Sequence, residues 1–215
     1  MSNDDRVPLA VHLSERSVFN GEHDGLTLAD EKLDGVEADL ALARGRVIHA
    51  RFLATPPAER AEDLQELALF ERAAELYRAV GDRRGEGEAV LWIGLFHQVV
   101  RDDEPAALPA LERAAELGDP LTVSYALRHL GYADHLAGRL EEARRRFEDS
   151  TRLRRELGFL PGVAANLVGL AYVAAAQGNR DEAIAFADEA VQLATDNAAS
   201  VIARMAEQAR AEVSA

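Results

Sequence analysis

The side chains able to do chemistry are few, and their spacing decides what they can attempt. The chain has six histidines and no cysteine, which excludes disulfides, thiolate metal sites and cysteine nucleophiles. His129 and His135 stand six residues apart. On a helix that spacing points them to different faces, whereas two imidazoles that share a metal stand four apart. Asp134 directly precedes His135 and so points elsewhere around a helix. No metal and no cofactor are expected. Ser124 lies near His129, but no nucleophile elbow or oxyanion element accompanies it. Gly81 to Gly87 is glycine-rich, yet it lacks the Lys-Ser/Thr ending and the preceding strand of a phosphate loop, so it reads as a turn between helices. His49 and His97 read as helix residues satisfied by their neighbours.

Arg144, Arg145, Arg146, Arg152, Arg154 and Arg155 form the densest run of like charge. Glu141, Glu142 and Glu148 precede Arg145, Arg146 and Arg152 by four residues each, the spacing of ion pairs along a helix. The run therefore reads as a solvated helix face, with an acidic partner docking there as the alternative.

Helices must carry these residues. Ala, Leu, Glu and Arg abound and strand formers are scarce, so local propensity favours helix. Lys32 is the only lysine, a bias we attribute to a GC-rich genome. The formal net charge is -14 and the isoelectric point about 4.9, a field that repels phosphate backbones and makes nucleic acid a poor partner. No apolar run approaches the roughly 20 residues of a membrane span. Met1 to Arg6 carry two Asp and one Arg rather than the basic-then-apolar start of a signal peptide. Together with the missing cysteines, this predicts a cytoplasmic protein.

An internal repeat organises the chain. Glu-Arg-Ala-Ala-Glu-Leu occurs at Glu71 to Leu76 and again at Glu112 to Leu117, 41 residues on. Small residues at Ala73, Ala114, Ser150 and Ala190 continue the track at intervals of 41, 36 and 40. A second track runs Ala107, Ala143 and Ala183, with Leu111 and Phe147 four residues after the first two. In the third copy Phe186 comes one position early and Ala187 holds the register. Small residues let a neighbouring helix approach, and the large one fills the space beside them. Turn signals fall between the copies. Gly118-Asp119-Pro120 supplies a helix stop, an N-cap and a first-turn proline. Gly138 and Gly178 sit where left-handed C-caps are needed, Gly158 and Pro161 mark another boundary, and Asp103-Glu104-Pro105 opens a helix.

Leu130-Gly131, then Ala137-Gly138-Arg139-Leu140-Glu141-Glu142-Ala143, then Phe147 resembles a tetratricopeptide repeat, as does Leu170-Ala171 followed by Gln177-Gly178-Asn179-Arg180-Asp181-Glu182-Ala183. The resemblance covers about residues 84–196, with a weaker copy from 34 to 80. The long period is similar to that of repeats in bacterial regulators and peptide-pheromone receptors. It implies an all-α fold: a right-handed α-solenoid of about four stacked helix-turn-helix hairpins and a C-terminal capping helix. The expected layout is an irregular or partly helical extension over 1–33 and a repeat domain over 34–215. Its hairpins are expected at about 34–80, 84–118, 121–157 and 161–195, and its capping helix at 198–213. Arg204, Glu207, Gln208, Arg210 and Glu212 are expected to form the outer polar face of the cap.

The resemblance also implies that the first helix of each hairpin lines a concave wall. That wall would carry Trp92, Ile93 and Phe96, then Tyr125, Arg128, His129, Tyr132 and His135, then Val168 and Tyr172. The expected ligand-binding residues are Trp92, Phe96, Tyr125, Arg128, His129, Tyr132, His135 and Tyr172. Aromatic rings supply contact area, and arginine clamps a carboxylate or phosphate; packing between helices is the competing reading. Repeats that grip the acidic tails of heat-shock chaperones use Lys and Asn where this chain has Trp92, Ile93 and Phe96. The groove therefore suits an apolar peptide, a helix or an apolar small molecule. The leading expectation is a protein- or peptide-binding module with no catalysis of its own. One alternative is a small-molecule-binding accessory protein or unusual enzyme. The other is a homodimeric scaffold with its groove buried. The apolar islands Val7 to Val11 and Leu26 to Leu28 are candidates to lie in the groove as an internal ligand.

Overall fold

In the computed structural model the described residues are 4–214. Residues 1–3 of the expected extension and residue 215 of the expected repeat domain lie outside them. Among the described residues there are ten α-helices and no strand, and the protein is an all-α helical-repeat protein. The chain forms two compact units, residues 1–110 and 111–215. The division falls within α5 (Glu104–Leu117).

The second unit keeps a strict cadence. Its helices are α6 (Pro120–Leu136), α7 (Leu140–Glu156), α8 (Leu160–Ala176), α9 (Arg180–Asp196) and α10 (Ser200–Ser214). Asp119 caps α6 by accepting the Thr122 N–H at 2.9 Å, and Pro120 occupies the first turn, where its missing N–H costs nothing. Gly138, Gly158 and Gly178 adopt φ of 73°, 69° and 80°. At the first of these turns the Gly138 N–H bonds to the His135 carbonyl at 3.0 Å and the Arg139 N–H to the Asp134 carbonyl at 2.9 Å. That pair of bonds is the Schellman closure, which needs a left-handed residue and so favours glycine. The fourth turn makes the same closure at Ala198, with φ of 53° and the Ala199 N–H on the Ala194 carbonyl at 2.9 Å.

Consecutive helices of this unit pack side by side, and α8 also packs on α6 and α10. The small-residue tracks lie where they meet: Ala143, Ser150, Ala183 and Ala190 have no exposed surface. Phe147 fills the space they leave. A Cβ at Gly169 would stand 2.6 Å from its ring and one at Gly131 3.3 Å, so the Phe147 ring depends on bare backbone on α8. The outer face of α10 exposes Arg204, Glu207, Gln208, Arg210 and Glu212.

The first unit is less regular. It comprises α1 (Arg6–Asn20), α2 (Leu26–Ala54), a short 3-10 turn (Pro57–Glu59), α3 (Leu64–Ala79), α4 (Arg83–Leu95) and a π turn (Phe96–Val100) that leads toward α5. The segment read as irregular or partly helical is thus largely helical, and α2 runs through residue 34 without a break. Two features obscured this. Pro8 stands in the first turn of α1, where proline is tolerated. Gly35 and Gly45 look like breakers but serve close approach: a Cβ at Gly45 would meet the Phe70 ring at 2.4 Å. The core of this unit centres on Phe70, Ala73, Leu76 and Tyr77, all buried.

Candidate functional site

The second unit holds six of the eight expected site residues. Tyr125, Arg128, His129, Tyr132 and His135 lie on α6 and Tyr172 on α8. Helical spacing of three and four puts Tyr125, Arg128 and Tyr132 in one row. Tyr132 is 49% exposed. His129 and His135 are half-buried, and the His135 Nδ1 is buried with no hydrogen-bond partner. The Tyr172 hydroxyl donates to Glu212 at 2.7 Å. Burial, and then the hydrogen bond to Glu212, push this phenol up to about 12.

Behind Tyr125 lies a buried arginine that the sequence reading placed on a solvated face. Arg154 of α7 is 1% exposed. Its guanidinium stands 4.7 Å from the Tyr125 ring centre and 5.6 Å from that of Phe159, held between aromatic faces. Nη1 donates to the Gly162 carbonyl at 2.8 Å and to Asn166 Oδ1 at 2.9 Å. Nε donates to Ser124 Oγ at 3.3 Å, and Nη2 has no hydrogen-bond partner. Asn166 Nδ2 donates to Ser150 Oγ at 2.8 Å, which donates in turn to the Ser124 carbonyl at 2.5 Å. Gly162 makes room for this arrangement, since a Cβ there would stand 2.4 Å from the Phe159 ring and 2.9 Å from Arg154 Cδ. A signal for Arg154 was present: Ala143, Phe147, Ser150 and Arg154 follow one another at spacings of four, three and four, the buried stripe of α7.

The expected solvated pairs are also rearranged. Arg146 reaches Asp134 of α6 at 3.0 Å rather than Glu142, and Arg152 pairs with Glu156 at 3.1 Å. Arg144 reaches Glu182 of α9 at 2.6 Å. Arg144 and Arg146 thus find carboxylates on neighbouring helices, whereas Arg152 stays with one a turn along its own helix.

Arg128 is half-buried, and its Nη1 donates to the Ala165 carbonyl of α8 at 2.6 Å. Desolvation pushes its pKa down to about 10. Burial, with the nearby Arg128 charge adding to it, holds the Arg154 pKa below the usual guanidinium range. Both groups stay cationic at neutral pH. Their hydrogen-bond acceptors are all neutral: two carbonyls, an amide oxygen and a hydroxyl. Among the described residues neither guanidinium meets a carboxylate, in a chain of formal charge -14.

The remaining two expected residues belong to the first unit and are engaged in packing. Phe96 is fully buried, with the Arg101 guanidinium 4.8 Å from its ring centre. It presents nothing to a ligand, because it sits on the inner side of the π turn. Trp92 is half-buried. It stacks on Phe70 at 5.6 Å, meets His49 edge-on at 5.3 Å, and carries the Arg46 guanidinium 5.2 Å from its centre. His49 Nδ1 stands 2.7 Å from Glu66 Oε1, with both side chains buried. That pairing of α2 with α3 was not legible, since Glu66 lies in an ordinary helical pattern.

Residues 121–196 match the family model of the tetratricopeptide repeat. Over that stretch the second unit is similar to tetratricopeptide repeats. The matched segment holds the helix pairs α6–α7 and α8–α9. Tetratricopeptide repeats generally mediate protein–protein interaction. No curated protein matches the chain. Among the described residues no group of three His, Cys, Asp or Glu stands together as a metal would require. No helix of the described residues is long and apolar enough to cross a membrane.

Proposed function

We propose that the protein is a non-catalytic interaction module whose α6–α8 face binds a peptide segment of a partner protein. The observation that carries this reading is the Arg128–Arg154 pair, two cations whose only acceptors are neutral. Arg128, only partly buried in the row of Tyr125 and Tyr132, takes one carboxylate of the peptide, as a side chain or a C-terminus. Charge-assisted hydrogen bonds of this kind contribute more than neutral ones. Tyr132 supplies apolar contact next to it, and Arg154 acts from behind through its charge. Trp92 and Phe96 take no part, since packing already occupies them.

Panning a random peptide library on the purified protein tests this reading. Enriched peptides should carry a carboxylate next to apolar residues. Arg128→Gln should weaken them by about tenfold or more, the scale of a lost charge-assisted hydrogen bond, and Tyr132→Ala by less. Selected peptides that bind both variants as well as the parent protein would overturn it. Native mass spectrometry of freshly purified protein separates the small-molecule alternative, which predicts a co-purifying mass that the Arg128→Gln variant loses.

A further inference from the structure

Helix α2 is apolar on two opposite faces. One face carries Ala38, Leu42, Gly45 and His49, which are buried against the rest of the first unit. The other carries Leu33, Val36, Leu40, Ala43, Val47, Ala50 and Ala54, at alternating spacings of three and four. This second stripe is a coiled-coil seam in register over three heptads. It faces solvent: Leu33 is 43% exposed, and Leu40 and Val47 are each 50% exposed. Ala43 and Ala50 are exposed as well. An apolar stripe along a helix is a face to be covered, and among the described residues only one of the two stripes of α2 is covered.

Charge says what covers the other side. The first half of α2 carries Asp30, Glu31, Asp34, Glu37 and Asp39 against the single Lys32. The second half carries Arg44, Arg46 and Arg51 and no acid. A helix acidic in one half and basic in the other is complementary to itself when two copies run antiparallel. We infer that two copies of this chain pair through an antiparallel α2–α2 seam, with the two-fold axis between Ala41 and Leu42.

That axis follows from the side-chain sizes. It sets Leu33 of one copy over Ala50 of the other, Leu40 over Ala43, and Val36 over Val47, so that a large residue meets a small one or two of middle size meet. A shallow groove of about 370 Å³ beside the seam, lined by Ala43, Val47, Ile48 and Leu69 among others, lies where Val36 and Leu40 of the second copy arrive. The flanking charges then fall in opposite pairs, Asp30 with Arg51 and Glu37 with Arg44. Asp30, Arg44 and Arg51 have no ion pair within the described residues. Glu37 meets Arg72 at 2.8 Å, with both side chains about half exposed, a surface contact of small energy that exchanges readily. The 29-residue helix is about 43 Å long, enough for three heptads of contact. The surface belongs wholly to the first unit, so the inference does not rest on the peptide reading of α6–α8.

Light scattering on the eluting full-length protein across a concentration series should give twice the 23.4 kDa chain mass, falling toward one chain on dilution. Leu40→Glu with Val47→Glu should weaken the dimer by roughly a hundredfold or more, because two charges would be buried against apolar neighbours. Both residues are half exposed, so circular dichroism should be unchanged. Glu37→Arg should weaken it by about tenfold, and adding Arg44→Glu to that variant should restore it. The chain has no cysteine, so orientation has a direct reading. A mixture of Leu33→Cys and Ala50→Cys proteins should form a disulfide-linked heterodimer on mild oxidation, and Leu33→Cys alone should not. A chain that stays monomeric throughout, a dimer unchanged by Leu40→Glu with Val47→Glu, or efficient cross-linking of Leu33→Cys alone would each overturn the inference.

Discussion

The first unit buries a carboxylate beside a histidine, and the second buries an arginine among neutral oxygens. Glu66 Oε1 and His49 Nδ1 meet at 2.7 Å, so the buried carboxylate faces an ionisable partner, while its Oε2 bonds to nothing. Arg154 has carbonyl, amide and hydroxyl partners and an Nη2 that bonds to nothing. Each arrangement leaves one buried atom unbonded, but in low-dielectric surroundings only the second holds a charge with no ionisable partner of opposite sign. The same contrast runs through the backbone. The second unit repeats one helix and one Schellman turn, while the first joins helices of unequal length through a 3-10 turn and a π turn. A regular frame supporting an unbalanced charge is the combination expected of a surface that receives something from outside.

The largest expected effect tests that contrast at its centre. Glu66→Ala leaves the buried His49 without its acceptor and should cost about 3 kcal/mol, measured by urea denaturation with hydrogen exchange to localise the loss to the first unit. Arg154→Met keeps the volume and removes an uncompensated charge, so it should cost less than half as much. Equal losses would break the comparison. Next comes Gly169→Ala, whose new methyl would stand 2.6 Å from the Phe147 ring. It should destabilise the second unit by about 2 kcal/mol, and a silent substitution would show that this packing is looser than described.

Ala198→Gly should act in the opposite direction. The fourth turn holds an alanine at φ of 53°, a left-handed conformation that costs an L-residue about 1 kcal/mol, and thermal unfolding should report a gain of that order. The smallest effect concerns pH. Tyr172 has its folded pKa raised to about 12 from an ordinary 10.0, so its contribution is complete below pH about 10 and is lost as pH climbs toward about 12. Tyr172→Phe should flatten that alkaline decline in stability, followed by circular dichroism.

What the sequence disclosed follows the same division. Ala73, Ala107, Ala114, Ala143, Ser150, Ala183 and Ala190, picked out by their period, are all without exposed surface. Gly138 and Gly178 take the left-handed turns assigned to them. Period is a strong signal because each copy repeats the same packing problem. The first helices gave no such signal. Gly35 and Gly45 look like interruptions until Arg6 and Phe70 are seen against them, and α2, apolar on two faces, shows no single amphipathic stripe. Arg154 was masked by its neighbours, since a run of arginines suggests solvent while its position in the stripe of Ala143 and Phe147 dictates burial. Phe96 misled for the converse reason. Family register alone assigned it to the groove, and no residue type reveals that a π turn has carried it inward.

The left-handed turns of the second unit fall at residues 138, 158, 178 and 198, so helix and turn together occupy a constant length of chain. Inserting one residue into such a helix would rotate everything beyond it by about 100° and scramble each contact downstream. Inserting a whole pair of helices would leave every existing contact with an equivalent partner. For the gene, then, the large edit is the gentle one. Duplication or loss of a complete hairpin is open to selection, while a single-codon slip inside one is close to lethal for the fold.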